Sequence, residues 1–497
     1  MAHPRLTFSD PTIQTTGVTL VVYAPFGTDA ALSRYPDAAA VPVDRHPLVR
    51  HLAEVARCGV HVSALVDLYR DGSYLVEMTA NSRAAPRITS RWKLEMDGIA
   101  TMAGFLRYSR LKRPGTAIVL ALEGHGAGYL PELDLSVLTT SNLTQNGSIE
   151  WHIANGAGAP QLPMGSPLLP MALPLQPMGS PLLPADHAPL SSYGLGQAMA
   201  LAQVDGGQRV GVVHLNNCFN MSAELLHTIA PYADVATGYL NYNFFTAGEA
   251  YPVVFDRLRR AGTATTEQLA HWFADANRDL LASKSHHPTA AGVVQLSRMP
   301  LIARRIHTLA RALIKALDSA TPAQRPGVVR QVRSALRRAQ KYDNEGSPKL
   351  GPADEMVDIC SLATELSAFE VNAVPVQKAA RALRSSLAGI KAYGASGVPW
   401  SEPGVHWDFS RPDLAMNILC PDASLRGLWD WRSPYYLQVR LEPGVPAVQP
   451  HQIDFLKKSA WVDFIREYHR EEPFLGVLAA EIPHLPTFNR AHTLPPD

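Results

Sequence analysis

Continuous apolar, β-branched runs alternate with amphipathic stretches along the first half of the chain. Such runs are typical of parallel strands covered on both faces, whereas apolar residues spaced three and four apart indicate helices. The pattern predicts strands at residues 18–23, 60–68, 74–78, 116–122, 210–215 and 234–239. It predicts helices at residues 46–59, 92–106 and 221–229. Strands that alternate with helices predict an α/β sheet with helices on both faces.

The second half of the chain is richer in arginine and alanine and has a helical period. Apolar stripes predict helices at residues 301–317, 329–341, 356–366, 376–390 and 459–469, and strand-like segments lie at 414–420 and 435–440. The arginines of these helices are interpreted as forming their solvated faces, opposite the apolar stripes. We therefore divide the chain into an α/β region at 1–260 and a mainly helical region at 261–497, with a few strands that return to the core.

A proline-rich insert interrupts the α/β region at about residues 151–190. Residues 151–185 contain no Asp, Glu, Lys or Arg, and PMGSPLLP occurs at both 163–170 and 177–184. Proline removes backbone donors and disfavours helix, so an extended, irregular segment is expected. Three interpretations stay open: a segment lying on an apolar surface, a segment displayed to another protein, and a tolerated surface loop.

Charge and cysteine content narrow the classes of partner. Lys plus Arg number 45 and Asp plus Glu 44 in 497 residues, and this balance predicts neither a nucleic-acid nor a membrane partner. No run approaches the roughly 20 apolar residues of a membrane helix, and the first residues lack the apolar segment of a signal peptide. Cys58, Cys218, Cys360 and Cys420 are widely spaced, which argues against a disulfide framework and predicts a cytoplasmic location.

Two of the predicted strands end at reactive side chains. TAIVLALEGHGAGY reaches His125 and Gly126, and RVGVVHLNNCFNMS reaches Cys218. Parallel strands place their carboxyl ends along one edge of a sheet, so the two segments are expected to converge. A free thiol, with a pKa of roughly 8.5, is mostly protonated at neutral pH, and a nearby imidazole can take its proton and serve the leaving amine. This pair predicts a cysteine peptidase.

The neighbouring residues support this chemistry. Gly126 lets a substrate backbone approach, and the backbone N–H groups of Gly126 and Cys218 are the expected oxyanion donors. A helix predicted after Cys218 would favour its thiolate. No metal site is predicted, since H-E-x-x-H is absent. The other three cysteines are expected to be buried and replaceable.

The same segments, together with several downstream ones, resemble one known family. HGAGY, NNCFNMSAELLHTIAPYADVATGY, GVVQLSRMPLIARRIHTLARAL, LAMNILCPD and SAWVDFIREY resemble segments of the clostripain-like cysteine peptidases, peptidase family C11, within the caspase-like clan. The resemblance implies a caspase-like, mostly parallel sheet flanked by helices, a catalytic domain at 1–260 and a helical C-terminal region. It implies His125 as the catalytic histidine and Cys218 as the nucleophile. No cofactor is required by the sequence, and calcium enters only through the resemblance.

The chain departs from the family at the specificity pocket. Members usually have Asp-Ala-Cys, where the aspartate selects Arg or Lys in the substrate, but this chain has Asn216-Asn217-Cys218. A neutral amide lacks the charge pairing behind a basic preference. Glu123 and Glu249 are candidates to restore a negative pocket, and Asp234 is interpreted as a strand-edge residue.

Processing is the second departure. Family members often cut themselves after a basic residue between the His and Cys segments, and the chain has only Arg209 there. The hypothesis is that the insert is a regulatory linker whose cleavage, by this chain or by an activating protease, switches the enzyme on, within a bacterial signalling or defence cascade. The expected partners are protein or peptide substrates. The alternative function is a catalytically silent caspase-like scaffold that binds proteins through the insert and the helical region.

Overall fold

A computed structural model of the chain contains thirteen described strands. It describes residues 3–28, 32–33, 41–69, 71–92, 98–132, 190–203, 208–243, 246–284, 287–342, 355–370, 373–397, 407–420, 436 and 451–469. The strands in chain order are β1 (Arg5–Thr7), β2 (Val18–Pro25), β3 (His61–Asp67), β4 (Ser73–Met78), β5 (Arg87–Trp92), β6 (Ala117–Glu123), β7 (Val210–Asn216), β8 (Ala233–Tyr239), β9 (Thr263–Thr265), β10 (Thr289–Gln295), β11 (Met356–Asp358), β12 (Lys391–Ala395) and β13 (Asn417–Leu419).

Helices connect and cover these strands. In chain order the described α-helices are α1 (Pro47–Arg57), α2 (Ile99–Lys112), α3 (Ser192–Gln203), α4 (Ala223–Ile229), α5 (Tyr251–Ala261), α6 (Thr266–Asp279), α7 (Met299–Asp318), α8 (Arg325–Arg338), α9 (Ile359–Leu366), α10 (Ala373–Leu387), α11 (Asp454–Lys458) and α12 (Trp461–Tyr468). None of these described helices combines the length and apolarity needed to cross a membrane.

Nine strands form the central sheet, in the order β12-β10-β8-β7-β6-β2-β3-β4-β5. The five middle strands, from β8 to β3, run parallel to one another. Two antiparallel strands flank them on each side. This architecture confirms the predicted α/β fold with a largely parallel sheet between helices.

The sheet is buried on both faces because alternate side chains of each middle strand enter different cores. In β2, Val21 and Tyr23 belong to one core while Leu20 and Val22 belong to the other. The first core includes apolar residues of α2, α3, α4 and α7. The second includes residues of α1, α5 and α6. Continuous apolar runs therefore suit these strands, since neither face meets water.

The C-terminal half of the chain supplies helices and also two strands of the main sheet. It also contacts the loop that follows β7, here called the nucleophile loop (residues 217–222). Strands β10 and β12 add to the sheet beside β8. Strand β13 pairs with β11, and its Asn417 also bridges to Ser222, just after the predicted nucleophile. The main sheet thus draws strands from both sides of residue 260, and the domain boundary there stays a prediction.

Two predicted helices are corrected by strand pairing. The predicted helix at 92–106 was wrong at its start, because Arg87–Trp92 is strand β5, which pairs with β4, and the helix covers Ile99–Lys112. The predicted helix at 356–366 begins as strand β11, and the helix covers Ile359–Leu366 after Asp358 caps it. The insert to residue 189, and the predicted strand at 435–440 apart from Tyr436, lie outside the described residues.

Candidate active site

The His and Cys segments leave the sheet side by side. Strands β6 and β7 are parallel neighbours, and Glu123 pairs with Asn216 at their last aligned position. His125 and Cys218 each follow two residues beyond that pair. Gly126 then packs directly on the backbone of Cys218, where an added Cβ would lie 2.2 Å from the carbonyl oxygen and 2.8 Å from the nitrogen of Cys218. The predicted convergence at the carboxyl edge of the sheet is therefore observed in the backbone.

The backbone after Cys218 adopts an unusual conformation. Phe219 has a φ of 60°, a left-handed value that a bulky residue rarely adopts and that costs free energy. Two contacts hold it: its N–H donates to the carbonyl oxygen of Asn241 at 3.0 Å, and its carbonyl accepts from Nδ2 of Asn417 at 2.8 Å. Backbone strain that the surrounding structure maintains in this way is typical of functional sites.

A pair of amides joins the two loops. Oδ1 of Asn220 accepts the backbone N–H of Gly128 at 3.0 Å, and its Nδ2 donates to Oδ1 of Asn217 at 2.8 Å. Gly128 has a φ of 69°, and an added Cβ would lie 2.4 Å from the Met356 side chain. The loop after β6 and the loop after β7 are therefore held in one arrangement.

The Cys218 thiol is enclosed, with only 5% of the residue exposed. Its Sγ donates to Oδ1 of Asn243 at 3.3 Å, and the Asn243 backbone N–H points back at Sγ at 3.5 Å. Burial raises the pKa of Cys218 to about 12, although the backbone N–H groups of Asn243 and of Cys218 itself lower it in part. The thiol of this state is neutral at physiological pH.

Helix α4 does not begin at Cys218. It starts at Ala223, where the Ser222 side chain accepts the N–H of Leu225 at 3.2 Å, and this start lies five residues beyond the thiol. The expected stabilisation of a thiolate by a helix N-terminus is therefore wrong for this arrangement, because that effect falls off within the first turn. Residues 219–222 form a loop that carries Phe219 in its strained conformation.

The proposed pocket residues Glu123 and Asn216 contact each other at the carboxyl ends of β6 and β7. Nδ2 of Asn216 donates to Oε1 of Glu123 at 2.9 Å, and Tyr251 donates its hydroxyl to the same oxygen. Burial raises the pKa of Glu123 to about 7, and the bonds from Tyr251 and Asn216 oppose that rise. Oε2 of Glu123 and Oδ1 of Asn216 have no hydrogen-bond partner among the described residues. Two buried oxygens at the ends of β6 and β7 therefore lack a donor among the described residues.

Glu249 belongs to a tight turn that contacts Asn216 through Thr246. Its N–H donates to the Thr246 carbonyl at 3.0 Å, and Oγ1 of Thr246 lies 3.5 Å from Nδ2 of Asn216. Ala247 and Gly248, in the middle of the turn, both have positive φ values, of 47° and 68°. The structure thus brings Glu123 and Asn216 into contact and connects Glu249 to them through Thr246.

Comparison with known proteins places this arrangement in a known fold. No protein-family model and no curated protein matches the chain. An inactive zymogen C11 protease from Parabacteroides distasonis matches 89% of this chain and 97% of its own, with a TM-score of 0.53 and 12% identity. A secreted C11 cysteine protease from Bacteroides thetaiotaomicron, in complex with an irreversible peptide inhibitor, matches 90% and 99%, with a TM-score of 0.53 and 11% identity.

A second structure from Bacteroides thetaiotaomicron, of the secreted C11 cysteine protease "iotapain", gives the same result. It matches 82% of this chain and 94% of its own, with a TM-score of 0.50 and 12% identity. The chain has the C11 protease fold. The resemblance stated from the sequence motifs is thereby confirmed at the level of the fold.

The other residues named from the sequence are Asp234 and the three remaining cysteines. Asp234, near the amino end of β8, accepts hydrogen bonds from Ser9 and from the Thr266 hydroxyl, as expected of a strand-edge residue. Cys58 and Cys420 are buried. Cys360 is only half-buried, which corrects the expectation for it, because it lies at the start of α9 in a cleft of about 530 Å³ beside Arg381 and Arg384.

Sequence reasoning missed the amides that surround Cys218. None of three amides was singled out. Asn243 contacts the Cys218 sulfur, Asn220 accepts the N–H of Gly128, and Asn417 donates to the Phe219 carbonyl. A signal existed for Asn243, since it follows β8 at the same sheet edge as Cys218. Nothing in the local pattern marked Asn417, which is 198 residues from Phe219.

No metal centre is found in the part of the chain that the structure describes. There, no group of three or more His, Cys, Asp and Glu side chains is arranged to hold a metal ion. The calcium that the family resemblance implies stays a prediction.

Proposed function

We propose that the chain is a cysteine endopeptidase in which Cys218 is the nucleophile and His125 the general base and acid. The observation that carries the proposal is the contact of Gly126 with the Cys218 backbone at the ends of two adjacent parallel strands. The C11 protease fold supports it independently. A positioned nucleophile and base at one sheet edge is what acyl transfer requires.

The proposed reaction uses the side chains of Cys218 and His125 and the backbone around them. The Cys218 proton passes to His125, and the resulting sulfur anion then attacks the scissile carbonyl. The backbone N–H groups of Gly126 and Cys218 stabilise the oxyanion. His125 then protonates the leaving amine, which leaves an acyl group on Cys218. Water, deprotonated by His125, releases the acid and restores the thiol.

The proposed specificity differs from a strong preference for Arg or Lys before the cut. Asn216 carries no charge, and Glu123 is buried with a pKa near 7, so its negative charge is incomplete at neutral pH. Oδ1 of Asn216 and Oε2 of Glu123 have no hydrogen-bond partner among the described residues, so a donor on a substrate side chain can bind there. We propose a pocket that favours side chains with N–H or O–H donors, and in which Glu249 adds negative charge at the rim.

Replacing Cys218 by alanine is expected to abolish cleavage of a peptide library of unbiased sequence. Cleavage needs the sulfur, so product formation should fall to background in mass spectrometry while the wild type cuts. The matched control is Cys58→Ala, which removes a buried thiol at the far end of α1. Its activity should equal that of the wild type. If neither the wild type nor a protease-nicked sample cuts any peptide, the scaffold alternative is favoured instead.

Regulation by cleavage of the insert is part of the same proposal. Self-cleavage after Arg209 is disfavoured, because its guanidinium donates to the carbonyl oxygens of Pro231 at 2.6 Å, Ala230 at 3.2 Å and Ala233. That residue directly precedes β7. We therefore propose that activation depends on a cut in or beside the insert, either after another residue type or by a different protease.

Deleting residues 160–185 is expected to change activity by removing this control. The measurement is the rate of peptide cleavage by the intact chain, the deletion variant and the chain nicked by an added protease. The nicked chain should be the fastest of the three. A fully active intact chain together with an unchanged deletion variant would refute regulation by the insert. It would leave the peptidase function itself unaffected.

The cellular setting completes the proposal. Protein or peptide substrates are supported by the solved C11 protease that carries a peptide inhibitor. A cytoplasmic location rests on the widely spaced cysteines, and a place in a proteolytic signalling or defence cascade rests on the unusual insert. Both stay predictions.

A further inference from the structure

Asn243 contacts the Cys218 sulfur through two different groups. Its side-chain oxygen accepts the thiol hydrogen at 3.3 Å, and its backbone N–H lies 3.5 Å from Sγ. These groups have opposite preferences for the state of the sulfur. An N–H donor stabilises a thiolate, whereas a carbonyl oxygen stabilises only the thiol, because its lone pairs would repel a negative sulfur.

The orientation of the Asn243 amide is determined by a third atom. Its Nδ2 donates to the backbone carbonyl oxygen of Asn216 at 2.7 Å. That oxygen can only accept, so the NH₂ must face it and Oδ1 must face the sulfur. If the amide were flipped, Oδ1 of Asn243 would face the carbonyl oxygen of Asn216, and both atoms are acceptors. The NH₂ group would then face the sulfur. The amide therefore presents its acceptor to Cys218.

We propose that Asn243 is a positioning residue that holds Cys218 as a neutral thiol until the amide moves away from the sulfur. The inference rests on the proposed role of Cys218 as nucleophile. Once the amide leaves, the thiol proton is free to pass to His125. The backbone N–H groups near the sulfur then stabilise the anion. Asn243 thus gates the step that creates the nucleophile rather than the attack itself.

Several titratable groups surround the thiol and bear on the test. His125 lies on the loop after β6, Glu123 lies at the end of that strand, and Tyr239 lies at the end of β8. Burial keeps Tyr239 neutral by raising its pKa well above the usual value. Glu123, His125 and Tyr239 are unchanged in every variant below. Differences between variants therefore report on Asn243.

The test measures alkylation of Cys218 by iodoacetamide as a function of pH, resolved by mass spectrometry of the digested full-length chain. Asn243→Ala removes the acceptor and should move the midpoint of the pH profile down by about one unit, which raises the rate at pH 7 about tenfold. Asn243→Asp keeps the shape but places a negative charge beside the sulfur. It should move the midpoint up and slow alkylation below the wild-type rate.

Cys58 and Cys420 serve as internal controls, because both are buried cysteines that form no disulfide. A variant that only loosens the fold would raise labelling of all three thiols by a similar factor and leave the Cys218 midpoint unchanged. If Asn243→Ala does not fold, as judged by circular dichroism, Asn243→Leu replaces it with matched volume. An unshifted or raised midpoint in the folded acceptor-free variant overturns the proposal, as does a lowered midpoint in Asn243→Asp.

The proposed function and this inference fail in distinguishable ways. Alkylation needs no substrate, so the midpoint shift can appear even if no peptide is ever cut, and then only the peptidase function fails. Conversely, peptide cleavage that depends on Cys218 but shows no effect of Asn243 on the alkylation profile leaves the peptidase intact and removes only the role of Asn243.

Discussion

Replacing Gly126 by alanine is expected to lower kcat/KM by about 100-fold or more, because the new methyl group must displace the Cys218 backbone. A Cβ at this position would lie 2.2 Å from the Cys218 carbonyl oxygen and 3.1 Å from the carbonyl carbon of Asn217. Neither neighbour is the flexible end of a side chain, so the loop itself must shift. A displacement of about 1 Å between nucleophile and base is enough for a loss of this size.

Gly104→Ala is the matched control for this prediction. Gly104 lies in α2, and an added Cβ meets nothing within 4 Å. Alanine in a helix interior should leave kcat/KM unchanged and raise the free energy of unfolding by about 0.5–1 kcal/mol. Steady-state kinetics and denaturant unfolding of both variants give the comparison. Wild-type kcat/KM in a folded Gly126→Ala protein would contradict the proposed catalytic role of the contact between the His and Cys segments.

Replacing Asn417 by alanine is expected to lower the free energy of unfolding by about 2–4 kcal/mol, since two buried carbonyl groups lose their donor. Nδ2 of Asn417 donates to the carbonyl oxygens of Phe219 at 2.8 Å and of Leu240 at 3.0 Å. The first bond holds the residue that follows Cys218 in its strained conformation. We therefore expect kcat/KM to fall about tenfold or more along with stability.

Asn417→Asp separates the role of the amide donor from the role of side-chain volume. The carboxylate has the same shape but places negative oxygens against two carbonyl oxygens, so its losses of stability and activity should exceed those of alanine. Urea unfolding and peptide cleavage are measured on both variants. An aspartate variant as stable as the wild type would show that the two hydrogen bonds do not hold the nucleophile loop.

The middle strands of the sheet were predictable because the apolar runs that mark them are local features of the sequence. The strands β2, β6 and β7 are buried along their whole length, and each contains a mostly apolar run that is visible in the sequence. The two antiparallel strands beside β8 were harder to predict. β10 reads TAAGVVQ and β12 reads KAYGA, and small residues such as Gly292, which packs near Met221 and Leu240, do not mark a strand. Their partners decide their conformation.

The candidate site likewise has features that the local sequence predicts and features that it does not. His125, Gly126 and Cys218 stand out because each follows directly from a recognisable strand, and parallel strands must end at one edge. The state of the thiol was not predictable, since a helix after Cys218 suggested a stabilised thiolate. Burial and the Asn243 amide instead favour the neutral form.

The sequence by itself determined the fold class, the pairing of a histidine segment with a cysteine segment and the absence of charge at Asn216. Only the tertiary structure decided what surrounds the sulfur. Asn243 is 25 residues from Cys218, and Asn417 is 198 residues from Phe219. Hydrogen bonds between such distant residues depend on how the strands β8 and β13 are arranged in space. No local spacing encodes that arrangement, because it follows from packing of the whole core.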